Sequence, residues 1–285
     1  MKEFRFGVSL RNFDDRAEWV EKCRLAERLG YDVLTVPDHL GHLAPFPALA
    51  TAAAATERVR VGTMVLNTAF YHPALLAREV ETTMRAAGGR LELGLGAGVV
   101  KAEFDAAGVP WCPAPERITH VAGTVEQLRR LLGEVPPLLI AGNSDGMLAL
   151  AAEQADIAGF SGLKQVPGHP AGTFDLASAD ELDERVAFVR ERAGKRTGEI
   201  EHNMLIQLVV VAEDPRPELG RWAEQLAVPR TVEQLLAAPE ILAGTVDEIA
   251  GRLLDHRRRF GFSYITVFEP HLAAFASVIS ALRAS

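Results

Sequence analysis

The segment Val33-Leu34-Thr35-Val36-Pro37-Asp38-His39 decides how the rest of the chain is interpreted. Its first four residues are apolar or β-branched, which is typical of a buried strand, and the strand ends in a proline, an aspartate and a histidine. In a barrel of parallel strands the carboxyl ends face the active site, so polar side chains at such an end indicate chemistry as well as packing. The segment therefore predicts a parallel α/β fold with a site at the end of this strand.

Outward from this segment, short apolar runs alternate with amphipathic stretches of helical length. This alternation is typical of βα units that build a parallel sheet. The predicted strands are Phe4–Leu10, Val33–Val36, Val59–Leu66, Leu91–Leu95, Leu138–Ala141, Ile157–Phe160, Leu205–Val211 and Tyr264–Phe268. The predicted helices lie near Arg16–Leu29, Pro47–Thr56, Pro73–Ala87, Pro115–Leu132, Asp145–Gln154, Ala179–Arg192, Glu218–Leu236, Val246–Phe260 and Leu272–Leu282. Eight strands with intervening helices predict a closed (β/α)₈ TIM barrel, formed by a single domain over residues 1–285.

Two long segments depart from this alternation. The stretch from Ala212 to Gly244 is too long for one crossover and contains four prolines, which predicts a helical insertion before the last βα unit. The stretch from Ser161 to Ser178 is rich in glycine and proline and is expected to be an irregular lid, a binding loop or a disordered loop. A doubly wound open sheet would need a glycine-rich turn after the first strand, and Ser9 to Phe13 contain no glycine. We therefore favour the barrel.

The composition limits the classes of partner and compartment. A net charge of −8 on 285 residues argues against nucleic acid as the main partner. No run reaches the ~18 apolar residues of a membrane span, and Met1 to Leu10 lack the apolar core of a signal peptide. The two cysteines, Cys23 and Cys112, form neither a metal-binding spacing nor a disulfide scaffold. A cytoplasmic protein without a membrane partner is therefore expected.

Asp38 and His39 allow two interpretations. In the structural one, Asp38 caps the next turn and His39 packs at the barrel rim. In the catalytic one, a neighbouring carboxylate or carbonyl fixes the tautomer of His39, which then transfers a proton beside a substrate. His42 and His72 raise the question of a metal, but the first and fourth predicted strands end without a ligand, so no metal is predicted. His72 precedes Pro73 and is expected to mark a helix entry.

Two further strand ends are candidate binding segments. Gly94-Leu95-Gly96-Ala97-Gly98 is not a dinucleotide fingerprint, because the third glycine of that motif would fall at Val99. Its small residues would let a flat ring or a phosphate tail approach the backbone, although a glycine-rich turn without a ligand is the open alternative. The stretch from Leu139 to Ser144 leads into a helix N-terminus, whose free amides favour a phosphate, although capping alone would also explain Asn143 and Ser144.

Several motifs occur in one order along nearly the whole chain. They are Pro37-Asp38-His39-Leu40, Gly62 to Asn67, His72 to Ala77, Gly88 to Gly98, Glu116-Arg117, and the phrase from Pro137 through Ala141-Gly142-Asn143 to Ile157. In this order they resemble the bacterial luciferase-like monooxygenase superfamily, and within it the oxidoreductases that use the deazaflavin coenzyme F420. The resemblance implies a (β/α)₈ barrel in which the flavin-like ring lies over the carboxyl ends of the strands.

The resemblance also implies roles for individual residues. His39 would be the catalytic proton donor or acceptor, and Asp38 would orient it. The third strand would carry a bulge with a non-proline cis peptide within Thr63 to Leu66. The residues expected to contact the cofactor are Thr63, Met64, Val65, Asn67, Gly96, Ala97, Gly98, Ala141, Gly142, Asn143 and Ser144, of which Gly142 and Asn143 would take the phosphate.

Three departures from the family pattern limit the substrate. Sugar-phosphate dehydrogenases of this branch carry a catalytic glutamate where this chain has Val99, which argues against a sugar-phosphate substrate. An aspartate that is usual near Met84 is absent, and the chain passes from Leu132 to Pro136 where relatives have a longer hairpin. We expect an apolar or conjugated substrate, because the predicted pocket residues are Leu40, Leu43, Phe46, Trp111 and Phe160.

Three functions agree with these observations. The first is hydride transfer between the deazaflavin and a small organic substrate, by an enzyme that forms a homodimer as its relatives do. The second is an FMN-dependent monooxygenase that activates oxygen with reduced flavin supplied by a separate reductase. The third is a non-catalytic member that binds a cofactor or partner without turnover. The pair Asp38-His39 favours the first function.

Overall fold

The computed structural model describes residues 2–284 and shows a barrel of parallel strands surrounded by helices. The strands are β1 (Arg5–Ser9), β2 (Val33–Val36), β3 (Arg60–Thr63), β4 (Leu66–Asn67), β5 (Leu91–Gly96), β6 (Leu138–Ala141), β7 (Ile157–Phe160), β8 (Leu163–Gln165), β9 (Phe174–Leu176), β10 (Glu201–Leu205), β11 (Leu208–Val211), β12 (Ile241–Gly244) and β13 (Phe262–Phe268). The helices are α1 (Arg16–Arg28), α2 (Pro45–Ala55), α3 (Pro73–Ala86), α4 (Lys101–Ala107), α5 (Ala114–Leu131), α6 (Asp145–Gln154), α7 (Ala179–Ala193), α8 (Arg216–Ala223), α9 (Val232–Ala237), α10 (Val246–Arg259) and α11 (Leu272–Ala284). None of these helices is both long enough and apolar enough to cross a membrane.

Nine strands form one sheet that closes on itself. The strand order is β3-β2-β1-β13-β10-β7-β6-β5-β4, and β3 also pairs with β5. All of these pairings are parallel. Because β3 and β4 are two halves of one interrupted strand, the closed sheet has eight strand positions. This arrangement confirms the predicted TIM barrel.

The third barrel strand is interrupted by a bulge formed by Met64 and Val65, which are joined by a non-proline cis peptide. Two glycines of the neighbouring β5 leave room for it. A Cβ on Gly94 would lie 2.0 Å from the Thr63 carbonyl oxygen, and a Cβ on Gly96 would lie 2.6 Å from a Val65 methyl group. The Met64–Val65 bulge can therefore press against β5 inside the barrel. Its position confirms the expectation drawn from the family resemblance.

The prediction of the seventh barrel strand as Leu205–Val211 is wrong. The barrel strand is β10, which ends where the predicted strand begins, and β11 pairs with β12 in a separate two-stranded sheet. The pattern was misleading because β10 contains Glu201, His202 and Asn203, which are all buried. The Asn203 amide, for example, donates to the Thr266 hydroxyl at 2.9 Å, so the N–H group of a polar residue is paired inside the barrel.

The helical insertion after β11 is present, but the single helix predicted over Glu218–Leu236 is wrong. The structure has α8 and α9 instead. Pro229 lies between them and lacks the N–H that a continuing helix needs. Thr231 then starts α9 with a capping box to Gln234. A small separate core packs under this insertion and contains Leu176, Leu208, Val210, Leu219, Leu235, Ala238 and Ile241.

The stretch predicted as an irregular loop contains an antiparallel hairpin, β8–β9, which we call the mouth hairpin (residues 163–176). The Ala177 N–H donates to the Gly162 carbonyl at 2.7 Å and closes its base. Near its tip, a Cβ on Gly172 would lie 3.2 Å from the Val99 carbonyl oxygen. Val99 belongs to the segment after β5, whereas the hairpin follows β7. The mouth hairpin therefore reaches across the carboxyl end of the barrel.

The amino-terminal end of the barrel is filled by an ionic cluster. Arg5 on β1 pairs with Glu92 on β5 and, at 2.6 Å, with Glu201 on β10. Arg60 on β3 also pairs with Glu92, at 2.6 Å. The Arg5 guanidinium lies 4.7 Å from the centre of the Tyr264 ring. Each charge of this cluster has an opposite charge beside it, so the chemistry of the barrel is expected at its opposite end.

Glu240 is a buried carboxyl at the junction between the barrel and the insertion. It precedes β12, and its Cβ lies 3.0 Å from the position of a Cβ built on Gly162. Burial raises the pKa of Glu240 to about 8, outweighing the nearby backbone N–H groups and the Arg252 guanidinium. The native state therefore holds a proton that the unfolded chain, with an ordinary carboxyl pKa of 4.5, has already released at neutral pH.

This shift predicts a loss of stability with rising pH. Below pH 4.5 Glu240 is protonated in both the folded and the unfolded state, and its full contribution to stability is present. As the pH rises from 4.5 to about 8, the unfolded state releases this proton while the folded state keeps it, so the free energy of unfolding falls. We expect the free energy of unfolding of the wild type to fall by about 2 kcal/mol relative to Glu240→Gln between pH 6 and pH 8. Urea titrations of both proteins at the two pH values measure this difference. Parallel pH profiles would contradict the prediction.

Candidate active site

A cavity of about 320 Å³ opens at the carboxyl ends of the barrel strands, and all eight strand positions contribute to it. The residues that line it are Ser9, Arg11, Pro37, Asp38, His39, Met64, Val65, Leu66, Asn67, Gly96, Ala97, Gly98, Val99, Glu103, Ala141, Gly142, Asn143, Gly159, Phe160, Ser161, Leu163, Phe174, Asn203, Leu205 and Phe268. This is the end of the barrel at which active sites are built.

Most of the predicted catalytic and cofactor residues come together in this cavity, and two lie just behind it. The Thr63 hydroxyl donates to the Gly94 carbonyl at 2.8 Å and accepts the Gly94 N–H at 2.9 Å. The Ser144 hydroxyl accepts the Met147 N–H at 3.4 Å and caps α6. Thr63 and Ser144 therefore hold the backbone of the cavity wall without lining it.

Of the five predicted substrate-pocket residues, Phe160 alone lines the cavity. Phe46 lies in α2, where it is buried between helix and barrel and packs edge-on against Tyr71 with ring centres 6.2 Å apart. Leu43 packs against the main core, and Leu40 is 48% exposed. Leu40 and Leu43 precede α2, which begins at Pro45, and neither residue lines the cavity.

Trp111 lies outside the cavity for a different reason. It follows α4, a helix that the prediction did not include. Its ring packs edge-on against Phe104 of that helix, and the Arg117 guanidinium lies 3.8 Å from its centre. The apolar wall of the cavity is formed by other residues, namely Val99, Leu163, Phe174, Leu205 and Phe268.

Asp38 supports the backbone of β4. Its carboxylate accepts the Asn67 N–H at 3.0 Å and a hydrogen bond from the Tyr71 hydroxyl. Burial raises the pKa of Asp38 despite these donors. No hydrogen bond joins Asp38 to His39 within residues 2–284, so Asp38 does not orient the imidazole by direct contact. Its carboxylate is hydrogen-bonded instead to the segment that follows the Met64–Val65 bulge.

His39 is paired with Glu103. The His39 Nδ1 atom lies 2.8 Å from Glu103 Oε1, and the two side chains are 43% and 17% exposed. Both residues line the cavity. Sequence reasoning missed Glu103 because the segment after Val99 was assigned no helix. Gly108, which ends α4 in the left-handed conformation, is the signal that could have revealed it.

Four further polar residues of the cavity were also missed, and one of them is Ser161, which directly follows β7. Ser9 is the last residue of β1, Arg11 follows that strand, and Asn203 lies on β10, the strand that the sequence placed incorrectly. The Arg11 guanidinium lies 4.4 Å from the centre of the Phe268 ring. The Asn203 side chain is fully buried, and its Oδ1 atom has no hydrogen-bond partner. Asn203 therefore offers an unused acceptor at the cavity.

A second cavity of about 230 Å³ adjoins the first and shares Gly142, Asn143, Phe160 and Leu163 with it. A Cβ on Gly142 would lie 2.6 Å from the Met147 Cβ, so glycine lets α6 start close to β6. The lining of the second cavity includes two cationic side chains that are already paired with carboxylates. Lys164 Nζ lies 2.7 Å from Glu181 Oε1, and Arg185 pairs with Asp145. The second cavity extends the site towards the start of α6.

Three comparisons relate the chain to known proteins. The model of the luciferase-like monooxygenase family matches residues 4–259. An F420-dependent glucose-6-phosphate dehydrogenase of Intrasporangium calvum is 38% identical over 146 residues, which are 47% of this chain and 43% of that protein. A 5,10-methylenetetrahydromethanopterin reductase of Methanopyrus kandleri is 27% identical over 139 residues, which are 46% of this chain and 40% of that protein. The chain thus spans less than half the length of these curated relatives.

Among solved structures, an F420-dependent secondary alcohol dehydrogenase in complex with an F420-acetone adduct has the same fold. Its TM-score is 0.77, and the alignment covers 99% of this chain and 100% of that chain at 18% identity.

Proposed function

The chain belongs to the luciferase-like monooxygenase family, and on that basis we propose that it is an enzyme that transfers hydride between the deazaflavin coenzyme F420 and a small organic substrate. One observation carries the proposal. The Met64–Val65 bulge, the glycines Gly96 and Gly98 at the end of β5 and the imidazole of His39 border one cavity at the carboxyl end of the barrel. The F420-dependent relatives support the choice of coenzyme.

The residues of the cavity fit a planar coenzyme. The volume of the cavity, about 320 Å³, lies within the usual range for ligand pockets, and the cavity adjoins the second one. The Met64–Val65 bulge and the segment Gly96–Gly98 would hold the ring, and Gly142 with Asn143 would hold the phosphate beside α6. The unpartnered Oδ1 of Asn203 is available to a ligand donor. When bound, the coenzyme supplies a carbon that accepts or donates hydride.

The side chains would manage the proton and exclude water. His39 holds or releases the substrate proton through Nε2, because its Nδ1 atom is engaged by Glu103. Asp38 keeps β4 in place through the Asn67 N–H. Leu163 and Phe174 of the mouth hairpin cover the cavity with apolar surface.

We propose an apolar or conjugated substrate. The cavity wall is apolar at Leu163, Phe174, Leu205 and Phe268. Val99 stands where the sugar-phosphate dehydrogenases of the family carry a glutamate. The matched relatives act on glucose 6-phosphate and on methylenetetrahydromethanopterin, which differ widely, so their substrates do not carry over to this chain.

The choice of coenzyme is tested by titrating the purified protein with oxidised F420 and following the fluorescence of the coenzyme. We expect saturable quenching with a micromolar Kd, and binding of FMN at least about tenfold weaker. An absence of quenching would overturn the proposal. Tighter binding of FMN, with oxygen consumption on adding reduced flavin, would favour the FMN-dependent monooxygenase instead.

Two matched glycine variants sharpen this test. Gly98 and Gly88 both have positive φ angles, of 69° and 59°, so alanine strains the backbone at each position. A Cβ on Gly98 would also lie 2.6 Å from the Asn67 amide in the cavity, whereas a Cβ on Gly88 meets nothing within 4 Å. Gly98→Ala should therefore weaken F420 binding by at least about tenfold relative to Gly88→Ala. Equal affinities would show that this segment does not hold the coenzyme.

The cellular setting is part of the same proposal. We place residues 1–285 as one catalytic domain in the cytoplasm, acting as a homodimer by analogy with the family. Both cysteines are free thiols, Cys23 being buried, which suits a reducing compartment. Sedimentation of the purified protein at the mass of one chain would contradict the dimer.

A further inference from the structure

We propose that Glu103 is a positioning residue that fixes His39 in the Nδ1–H tautomer and thereby leaves Nε2 as the proton acceptor of the cavity. The tautomer follows from the geometry of the chain itself, and its use in proton transfer rests on the proposed function.

The contact defines the direction of the hydrogen bond. His39 Nδ1 and Glu103 Oε1 are 2.8 Å apart. An ionised carboxylate can only accept, so the imidazole must donate from Nδ1. A neutral imidazole carries one N–H, and Nε2 then holds the lone pair. The tautomer of a functional histidine is set in this way by the bond that its other nitrogen makes.

Other groups near His39 are engaged elsewhere. Asp38, its neighbour in the sequence, accepts from the Asn67 N–H and the Tyr71 hydroxyl. His42 has its ring centre 6.1 Å away, and its Nδ1 lies 3.1 Å from Asn12 Oδ1. Within residues 2–284, Glu103 is the carboxylate in hydrogen-bond contact with His39.

The position of Glu103 explains how this chain manages without the glutamate of its sugar-phosphate relatives. Val99 occupies that place after β5, and α4 begins two residues later. The helix brings Glu103 back to the cavity one turn after Val99, so a carboxylate still faces His39. When Nε2 takes a proton from a substrate hydroxyl, the electron pair of the O–H bond stays on the substrate oxygen. The imidazolium that forms then lies against the Glu103 carboxylate, which stabilises it.

The tautomer can be read in the coenzyme-free protein. Long-range proton–nitrogen correlation spectra of ¹⁵N-histidine-labelled protein at pH 8 distinguish the two neutral forms, and His39→Asn identifies the His39 signals. We expect the Nδ1–H form in the wild type and its loss in Glu103→Ala. Glu103→Gln keeps an acceptor oxygen without the charge, so it should restore the Nδ1–H form.

Asp105→Ala is the matched control. Asp105 lies on the same helix, is exposed, and pairs with Lys101 at 2.7 Å outside the cavity. The same carboxylate-to-alanine change there should leave the His39 signals unchanged. The signals of His42, beside Asn12, should be constant in all variants. An Nε2–H form in the wild type, an unchanged tautomer in Glu103→Ala, or an equal change in Asp105→Ala would each overturn the proposal.

Turnover gives a second readout. With F420 and an accepted substrate, Glu103→Ala should lower kcat by more than about tenfold while leaving the coenzyme Kd within about threefold, because the lost contact orients a proton carrier. Glu103→Gln should recover part of this loss. If F420 fails to bind while the tautomer depends on Glu103, the proposed function fails and the positioning role stands. If F420 binds and the tautomer is independent of Glu103, the positioning role fails and the proposed function stands.

Discussion

Replacing Gly94 with alanine is expected to lower the free energy of unfolding by about 3 kcal/mol or more, whereas the same substitution at Gly123 should raise it by about 0.5–1 kcal/mol. A Cβ on Gly94 would lie 2.0 Å from the Thr63 carbonyl oxygen, which belongs to backbone and cannot rotate away. Gly94 also exchanges two hydrogen bonds with the Thr63 hydroxyl. Relief of the clash would separate β3 from β5 at the place where the barrel closes.

Gly123 provides the matched control because it lies inside α5 and a Cβ there meets nothing within 4 Å. Alanine reduces the entropy that glycine loses in a helix. Urea unfolding of the two variants and the wild type, with F420 absent, measures both effects. Equal stabilities of the two variants would show that the barrel interior relaxes around the extra methyl group, contrary to the prediction.

Replacing His39 with alanine is expected to lower kcat by about 10²- to 10⁴-fold, the usual contribution of a positioned general acid or base. Coenzyme affinity should change little, since the bulge, the glycines at the end of β5 and the segment at α6 remain. The measurement is anaerobic oxidation of reduced F420 by a panel of conjugated carbonyl and quinone acceptors, compared at saturating coenzyme.

His42→Ala is the control for this prediction. His42 carries the same ring three residues later, lies outside the cavity lining, and contacts Asn12. Its loss should change kcat by less than about threefold, because its ring is hydrogen-bonded to Asn12 and makes no hydrogen bond to Glu103. A rate in His39→Ala equal to that of the wild type would remove His39 from the reaction. Binding of F420 without turnover by the wild type would favour the non-catalytic alternative.

Local sequence patterns predicted the barrel well, because buried parallel strands are continuous apolar runs and helices repeat between them. Asp38 and His39 were placed at the active end of the barrel for the same reason, because they directly follow the apolar run of β2. The pattern failed at β10, where the Glu201 carboxylate and the Asn203 amide N–H bind partners on other strands that no local window contains. Hydrophobic periodicity alone does not identify a strand whose buried residues are polar and are paired in this way.

The cavity wall was harder to predict than its floor. The floor is formed by strand ends, whose positions follow from the strand count. The wall includes Phe174 and Leu163, which reach the cavity because the mouth hairpin crosses the barrel, and Glu103, which depends on a seven-residue helix. Phe46 and Trp111 are aromatic residues of the kind expected in a pocket, yet they lie outside the cavity. Phe46 packs against Tyr71, and Trp111 packs against Arg117. Tertiary contacts thus decide which apolar residues meet a ligand.

The mouth hairpin lies apart from the barrel sheet, so substrate choice and reaction chemistry depend on different parts of the chain. It forms its own two-stranded sheet, apart from the nine strands of the barrel sheet, and it contributes Leu163 and Phe174 to the cavity. Because the hairpin shares no strand pairing with the barrel sheet, we expect changes in it to leave the register of the barrel strands and the pair His39–Glu103 in place. We therefore expect that remodelling this one short surface segment changes which substrates the cavity accepts, while the proposed reaction chemistry is inherited unchanged.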